Sequence, residues 1–198
     1  MNDLSKTALL LIGFQNDYFS PDGILYQVVE ESSRVTGVVN NTLALLDKYI
    51  DKFALVLSTP IHFTQDYSEL KNPIGILKVI AEVGAFKADS YGAQGIKEFD
   101  KYGKRIMQIP GKRGLNAFTH TELANVLNKN DITNIVLAGT VTSICIDSTA
   151  RSAVELGFNV TVLNDCTSSR TPFEQSFYCE EVFPLYAKVC SHTELVNE

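Results

Sequence analysis

The chain has 198 residues, a formal net charge of -6 and a pI of about 5.1, with 45% hydrophobic and 20% charged residues. Such a chain is long enough for one α/β domain with a full core, and its composition is that of a globular protein. The acidic balance repels phosphate backbones, so no nucleic-acid partner is expected.

The opening stretch MNDLSKTALLLIGF carries an apolar run too short to span a membrane, and no small-residue cleavage site follows it. It reads as a buried strand over Ala8–Ile12, and neither a membrane partner nor a leader is expected. Val38, Leu43, Leu45, Leu46 and Ile50 then recur at helical spacing, followed by a strand at Ala54–Ser58. The stretch Thr59–Tyr102 is irregular, with Pro60, Pro73, Gly75, Gly92 and Gly95, and reads as loops and short helices over one rim. A strand at Arg105–Ile109 precedes a helix marked by Leu123, Val126 and Leu127. A strand at Ile135–Ala138 leads into a helix marked by Ile144, Ser148, Ala150, Ala153, Val154 and Leu156, and strands at Asn159–Leu163 and Ala187–Cys190 complete the set.

Most of these strands are continuously apolar, as parallel strands covered on both faces are. Their alternation with helices predicts an α/β fold: a six-stranded, parallel, doubly wound, Rossmann-like sheet with helices on both faces, in a single domain over residues 1–198. The cysteines, Cys145, Cys166, Cys179 and Cys190, form no C-x-x-C pair, and the histidine spacing suggests no metal site. Without a secretion signal they fit a reducing, cytoplasmic setting better than a disulfide framework.

Ligands of doubly wound sheets bind beyond the carboxyl ends of the strands. That rule gathers Gly13–Tyr18, Gly111–Asn116 and Gly139–Cys145 at one rim. In the run NIVLAGTVTSICIDSTARSAVELG, Gly139 permits a tight turn, Thr142 or Ser143 can cap a helix, and Gly157 ends it. Cys145 then falls in the first helical turn, where backbone N–H groups and the helix dipole favour a thiolate and can hold an oxyanion. A buried structural thiol is the ordinary fate of such a residue, and spacing alone leaves both readings open. Lys112, in PGKRGLNAF, is either an exposed loop cation or a rim group that stabilises the thiolate.

Three segments together, ALLLIGFQNDYF, GKRGLNAF and LAGTVTSICIDSTARSAVELGFNVTVLNDC, resemble the isochorismatase-like cysteine hydrolases, which include nicotinamidases, N-carbamoylsarcosine amidases and streptothricin hydrolases. The resemblance runs from Thr7 to about Ser191, and IHFTQDYSEL with PIGILK is most similar to the streptothricin-hydrolase branch. It implies a parallel sheet covered on both faces and an Asp–Lys–Cys triad with Cys145 as nucleophile and Lys112 as the lysine. It further implies a cis peptide joining Thr140 to Val141, an oxyanion hole from the backbone N–H groups of Val141 and Cys145, and assembly as a homodimer or homotetramer. Tyr18, His62, Phe63, Tyr67 and Tyr91 match segments that line the substrate pocket in the family, where the partner is a small amide. No cofactor is implied.

The triad acid is the departure. Its position in the motif is Gly13. Asp17, further along, is not the family base and reads as a polar residue capping a turn. The metal-holding Asp-x-His pair of nicotinamidases is also broken, with Pro60 in place of the acid and His62 left alone. A general acid–base group is typically worth ~10²–10⁴ in rate. The sequence therefore reads as a hydrolase of amide or carbamoyl C–N bonds impaired by an Asp→Gly change. That change is expected to leave room for intact substrate, and Gly13→Asp is expected to raise activity by orders of magnitude. The alternatives are a non-catalytic ligand-binding protein and an isochorismatase-type ether hydrolase.

Overall fold

The computed structural model describes residues 4–195. In chain order it contains β1 (Thr7–Ile12), α1 (Asn16–Phe19), α2 (Tyr26–Thr36), α3 (Val38–Tyr49), β2 (Leu55–Thr59), α4 (Gly75–Val83), β3 (Ile106–Gln108), α5 (Leu123–Lys129), β4 (Asn134–Thr140), α6 (Asp147–Glu155), β5 (Asn159–Ser168), α7 (Pro172–Phe177) and β6 (Lys188–Cys190). The six strands form one parallel sheet in the order β3-β2-β1-β4-β5-β6. The chain reverses its winding between β1 and β4, the switch point where such sheets open a crevice.

β1 shows why the central strands read as unbroken apolar runs. All six of its residues are buried. Ala8, Leu10 and Ile12 enter one core with Leu123 and Leu127 of α5 and Ala150 and Ala153 of α6. Leu9 and Leu11 enter the other with Val38, Leu45 and Leu46 of α3. Alternate side chains point to opposite faces, and both faces are covered, so Ala8–Ile12 reads as an unbroken apolar run. Each fully buried leucine contributes about 1.5–3 kcal/mol.

The edge strand is the exception. β3 is shorter than the run Arg105–Ile109, and Met107 and Gln108 are exposed. Within Thr59–Tyr102 the one α-helix is α4; an isolated bridge ties Gly95 to Gln15 at the rim, and another joins Phe63 to Lys87 inside the stretch. No described helix is long and apolar enough to cross a membrane.

Candidate active site

β1 and β4 lie side by side, with Ile12 opposite Gly139. Gly139 has a φ of +127°, and a Cβ there would stand 1.8 Å from the Ile12 carbonyl oxygen, so this position admits glycine alone. The next peptide bond, Thr140–Val141, is cis. The turn that follows is wider than an α-turn: the Val141 carbonyl accepts hydrogen bonds from the N–H groups of both Ile144 (3.0 Å) and Ile146 (3.1 Å), and Thr142–Ile146 is a π-helical turn leading into α6.

Cys145 lies inside that turn and is 4% exposed. The expected Thr142 or Ser143 cap is absent. The Thr142 hydroxyl donates instead to Gln175 Oε1 at 2.6 Å, and the Ser143 hydroxyl pairs with Ser169 at 3.3 Å. Both hydroxyls are thereby engaged by α7 and by the residue that follows β5. Gly157 ends α6 as expected, with a φ of +92°.

Lys112 is wholly buried. Its backbone bridges Ile61 beyond the end of β2. The loop that carries it is pinned to α6: the Asn116 amide bonds the Ser152 hydroxyl, and the Ala117 N–H donates to Thr149 Oγ1 at 3.1 Å. The ammonium donates to the Gly114 carbonyl at 2.5 Å and to Cys145 Sγ at 3.6 Å. Burial pushes its pKa below the ordinary lysine value, against the opposing pull of the nearby Cys145. This cation is no exposed loop residue.

Proton binding by Lys112 has a measurable consequence. A folded pKa below the unfolded value near 10.4 means that the unfolded chain binds more protons in the interval between them. Stability therefore rises with pH across that interval, and the cost of burying the charge is fully present below it. Lys112→Met is expected to abolish this slope and to leave neutral-pH stability equal or higher. Urea midpoints from pH 7 to 10.5, measured on a Cys145→Ala background to remove the thiol's own titration, check this. Equal slopes with lysine and methionine would show that the amine is hydrated.

Tyr18, on α1, is 2% exposed and packs on Phe86 with ring centroids 5.0 Å apart. Burial raises its pKa, and Cys145 and Asp17 raise it further. Phe63 and Tyr67 pack together at 5.4 Å in the same core as Cys145, with the Tyr67 hydroxyl donating to the Ala85 carbonyl. His62 and Tyr91 do not join this group. Both line a cavity of about 660 Å³ on the β2–β3 side, with Phe14, Ser58, Phe99 and Gln108 in its wall, and neither Cys145 nor Lys112 borders it. Strand alternation beyond β2 explains the split: Ile61 and Phe63 turn toward one core, and His62 turns away from it.

Gly13 follows β1 with a φ of +72°. A Cβ there would stand 2.6 Å from the Thr140 carbonyl oxygen and 3.2 Å from the Thr140 methyl. The room for substrate that an Asp→Gly change was expected to leave does not exist, because the backbone closes on glycine. Asp17 holds loops rather than a single turn: its carboxylate accepts from the N–H groups of Ile24 (3.2 Å) and Phe86 (2.6 Å).

A buffer of side chains around Ser143 was not legible in the sequence. Glu174 accepts from the Ser169 hydroxyl at 2.7 Å and from the Arg170 guanidinium. Burial opposes its ionisation, but hydrogen bonds from Arg170, Ser169 and Ser143 prevail and hold its pKa down at about 2. Its stabilisation is complete above the unfolded value near 4.3 and is lost as pH falls toward 2. Glu174→Gln is expected to cost about 1 kcal/mol at pH 7 after solvent screening. Denaturation midpoints should converge with those of the wild type near pH 2, and a cost unchanged at that pH would remove ionisation as its source.

Asp165, Cys166 and His192 also gather, with ligand atoms within 4.8 Å of one another. Cys166, near the end of β5, is fully buried. Both Asp165 oxygens are taken by His192, one by its N–H at 2.9 Å and one by Nδ1 at 2.7 Å, a strap that holds the segment after β6 against β5.

The Isochorismatase domain model matches residues 7–194. The chain belongs to the isochorismatase family. An uncharacterized isochorismatase family protein of Escherichia coli O157:H7 is 37% identical over 86 residues, covering 43% of this chain and 46% of that protein. Maleamate amidohydrolase of Pseudomonas putida is 28% identical over 170 residues, covering 83% of this chain and 73% of the enzyme. The fold is that of a cysteine hydrolase from Pseudomonas syringae pv. phaseolicola, with a TM-score of 0.83 at 18% identity over 100% of this chain and 93% of the other. Pro60 offers no ligand atom, and His62 Nε2 lies 2.9 Å from the Ala93 carbonyl oxygen.

Proposed function

We propose that this isochorismatase-family chain, acting as one domain, hydrolyses the C–N bond of a small amide or carbamoyl compound through a thioester on Cys145. The observation that carries this reading is the buried Lys112 ammonium 3.6 Å from Cys145 Sγ, at the switch point of the sheet. A cation held so close favours the thiolate, which is the attacking species. The backbone N–H groups of Val141 and Cys145 serve as the oxyanion hole, and Tyr18, Phe63 and Tyr67 form the apolar side of the substrate site. The protein works without nucleic acid or cofactor, in the cytoplasm, as a homodimer or homotetramer. Incubation with maleamate, nicotinamide and other small primary amides, followed by ammonia assay and intact-mass spectrometry, tests the reading. The expected result is ammonia release with a transient acyl adduct on Cys145. Release of ammonia with no adduct, or none from any amide, counts against it.

Gly13 supports a second reading, a protein that binds an amide without cleaving it. Saturable binding of an amide by calorimetry with no turnover over days would establish that reading over the first.

A further inference from the structure

The missing triad acid leaves the proton unassigned. Among the described residues no carboxylate bonds to or pairs with Lys112, whose polar partners are the Gly114 carbonyl and Cys145 Sγ. Gly13 has no side chain, and its backbone excludes one. Asp17, the next acid in the motif, has both oxygens committed to the N–H groups of Ile24 and Phe86. A buried amine without a counter-ion is more easily neutral than one paired to a carboxylate, and its lowered pKa agrees with that.

We propose that Lys112 is a catalytic residue that carries the reaction proton itself, in a Lys112–Cys145 dyad that works without an acid at position 13. This rests on the amidase reading above. The neutral amine takes the thiol proton, and the thiolate attacks the carbonyl carbon to form the C–S bond, sending the π pair to oxygen. As that pair returns, the C–N bond breaks, and the Lys112 ammonium gives its proton to the departing nitrogen, releasing ammonia or an amine. The neutral amine then takes a proton from water while the hydroxide adds to the thioester. Collapse breaks the C–S bond, and the ammonium returns the proton to sulfur. The sum is amide plus water to acid plus amine, with enzyme unchanged.

Arginine separates proton transfer from charge, since it keeps the cation and holds its proton. The test compares wild type, Lys112→Arg and Lys112→Ala on two probes: p-nitrophenyl acetate, whose nitrophenolate leaves without a proton, and the amides above, whose nitrogen needs one. Lys112→Arg is expected to keep a nitrophenolate burst of one equivalent per chain and to lose amide turnover by ~10²–10⁴-fold. Lys112→Ala is expected to lose both and to recover amide turnover with methylamine but not with guanidinium, which keeps the test open if the arginine variant does not fold. Amide turnover retained by Lys112→Arg, or rescue of Lys112→Ala by guanidinium, would overturn the proposal while leaving the amidase reading intact. A wild type that gives the burst but cleaves no amide overturns both.

Discussion

Cys145→Ala is expected to abolish amide cleavage by at least about 10⁴-fold while leaving the fold intact. Removing the nucleophile of a covalent mechanism removes the reaction path itself, and single knockouts of such residues elsewhere cost about 10⁶ in kcat. The residual rate reflects only what binding and the oxyanion donors supply. Stability should change little, because the thiol's polar contact is with Lys112 and a methyl group fills most of its space. The loss of that contact leaves the buried ammonium with the Gly114 carbonyl. A modest fall in stability at neutral pH is therefore expected together with the loss of activity. Ammonia assay, thermal denaturation and the acyl adduct by mass spectrometry check this. Turnover within tenfold of the wild type would remove Cys145 from the chemistry.

Gly13→Asp is expected to destabilise the protein by about 2–5 kcal/mol and to give no gain in turnover. A left-handed backbone costs a non-glycine residue about 1–2 kcal/mol, and forcing a side chain into a packed site costs a further 1–3 kcal/mol or so. At this chain length the loss lowers Tm by roughly 4–20 °C. The obstacle is backbone: the Thr140 carbonyl oxygen stands 2.6 Å from where the Cβ would be. Such a group cannot move aside as a flexible side chain would. Gly13→Ala should show nearly the same loss, since the Cβ and not the carboxylate causes it. An aspartate variant with wild-type Tm and a hundredfold gain in turnover would mean that the site is a damaged triad after all, and the lysine dyad would fall with it.

These two positions show how much of the site was readable before the fold was known. Cys145 was legible because a glycine turn, a helix start and an apolar strand all lie within about ten residues of it. Lys112 was found only as one of two readings, since its burial depends on packing against α6 and the end of β2, which lie far away in the chain. Gly13 was recognised as a departure from the triad, but its φ and its contact with Thr140 arise where β1 and β4 meet, more than a hundred residues apart. The same limit explains His62 and Tyr91: His62 is the chain neighbour of Phe63 and Tyr91 lies in the same irregular stretch, yet both face a separate cavity.

Whereas α1, α2 and α7 emerged only with the fold, the residues alone indicated six parallel strands in their order, the helices α3, α5 and α6, and the gathering of Gly13, Lys112 and Cys145 at one rim. Each of these follows from patterns a few residues long: unbroken apolar runs, helical spacing and glycine turns at strand ends. The fold alone decided which side chains are buried, which face each other and which backbone has no room. Those outcomes depend on the β1–β4 pairing and on loops pinned across the sheet. The lysine that reads in sequence as a loop cation is, for that reason, a desolvated amine against the sulfur.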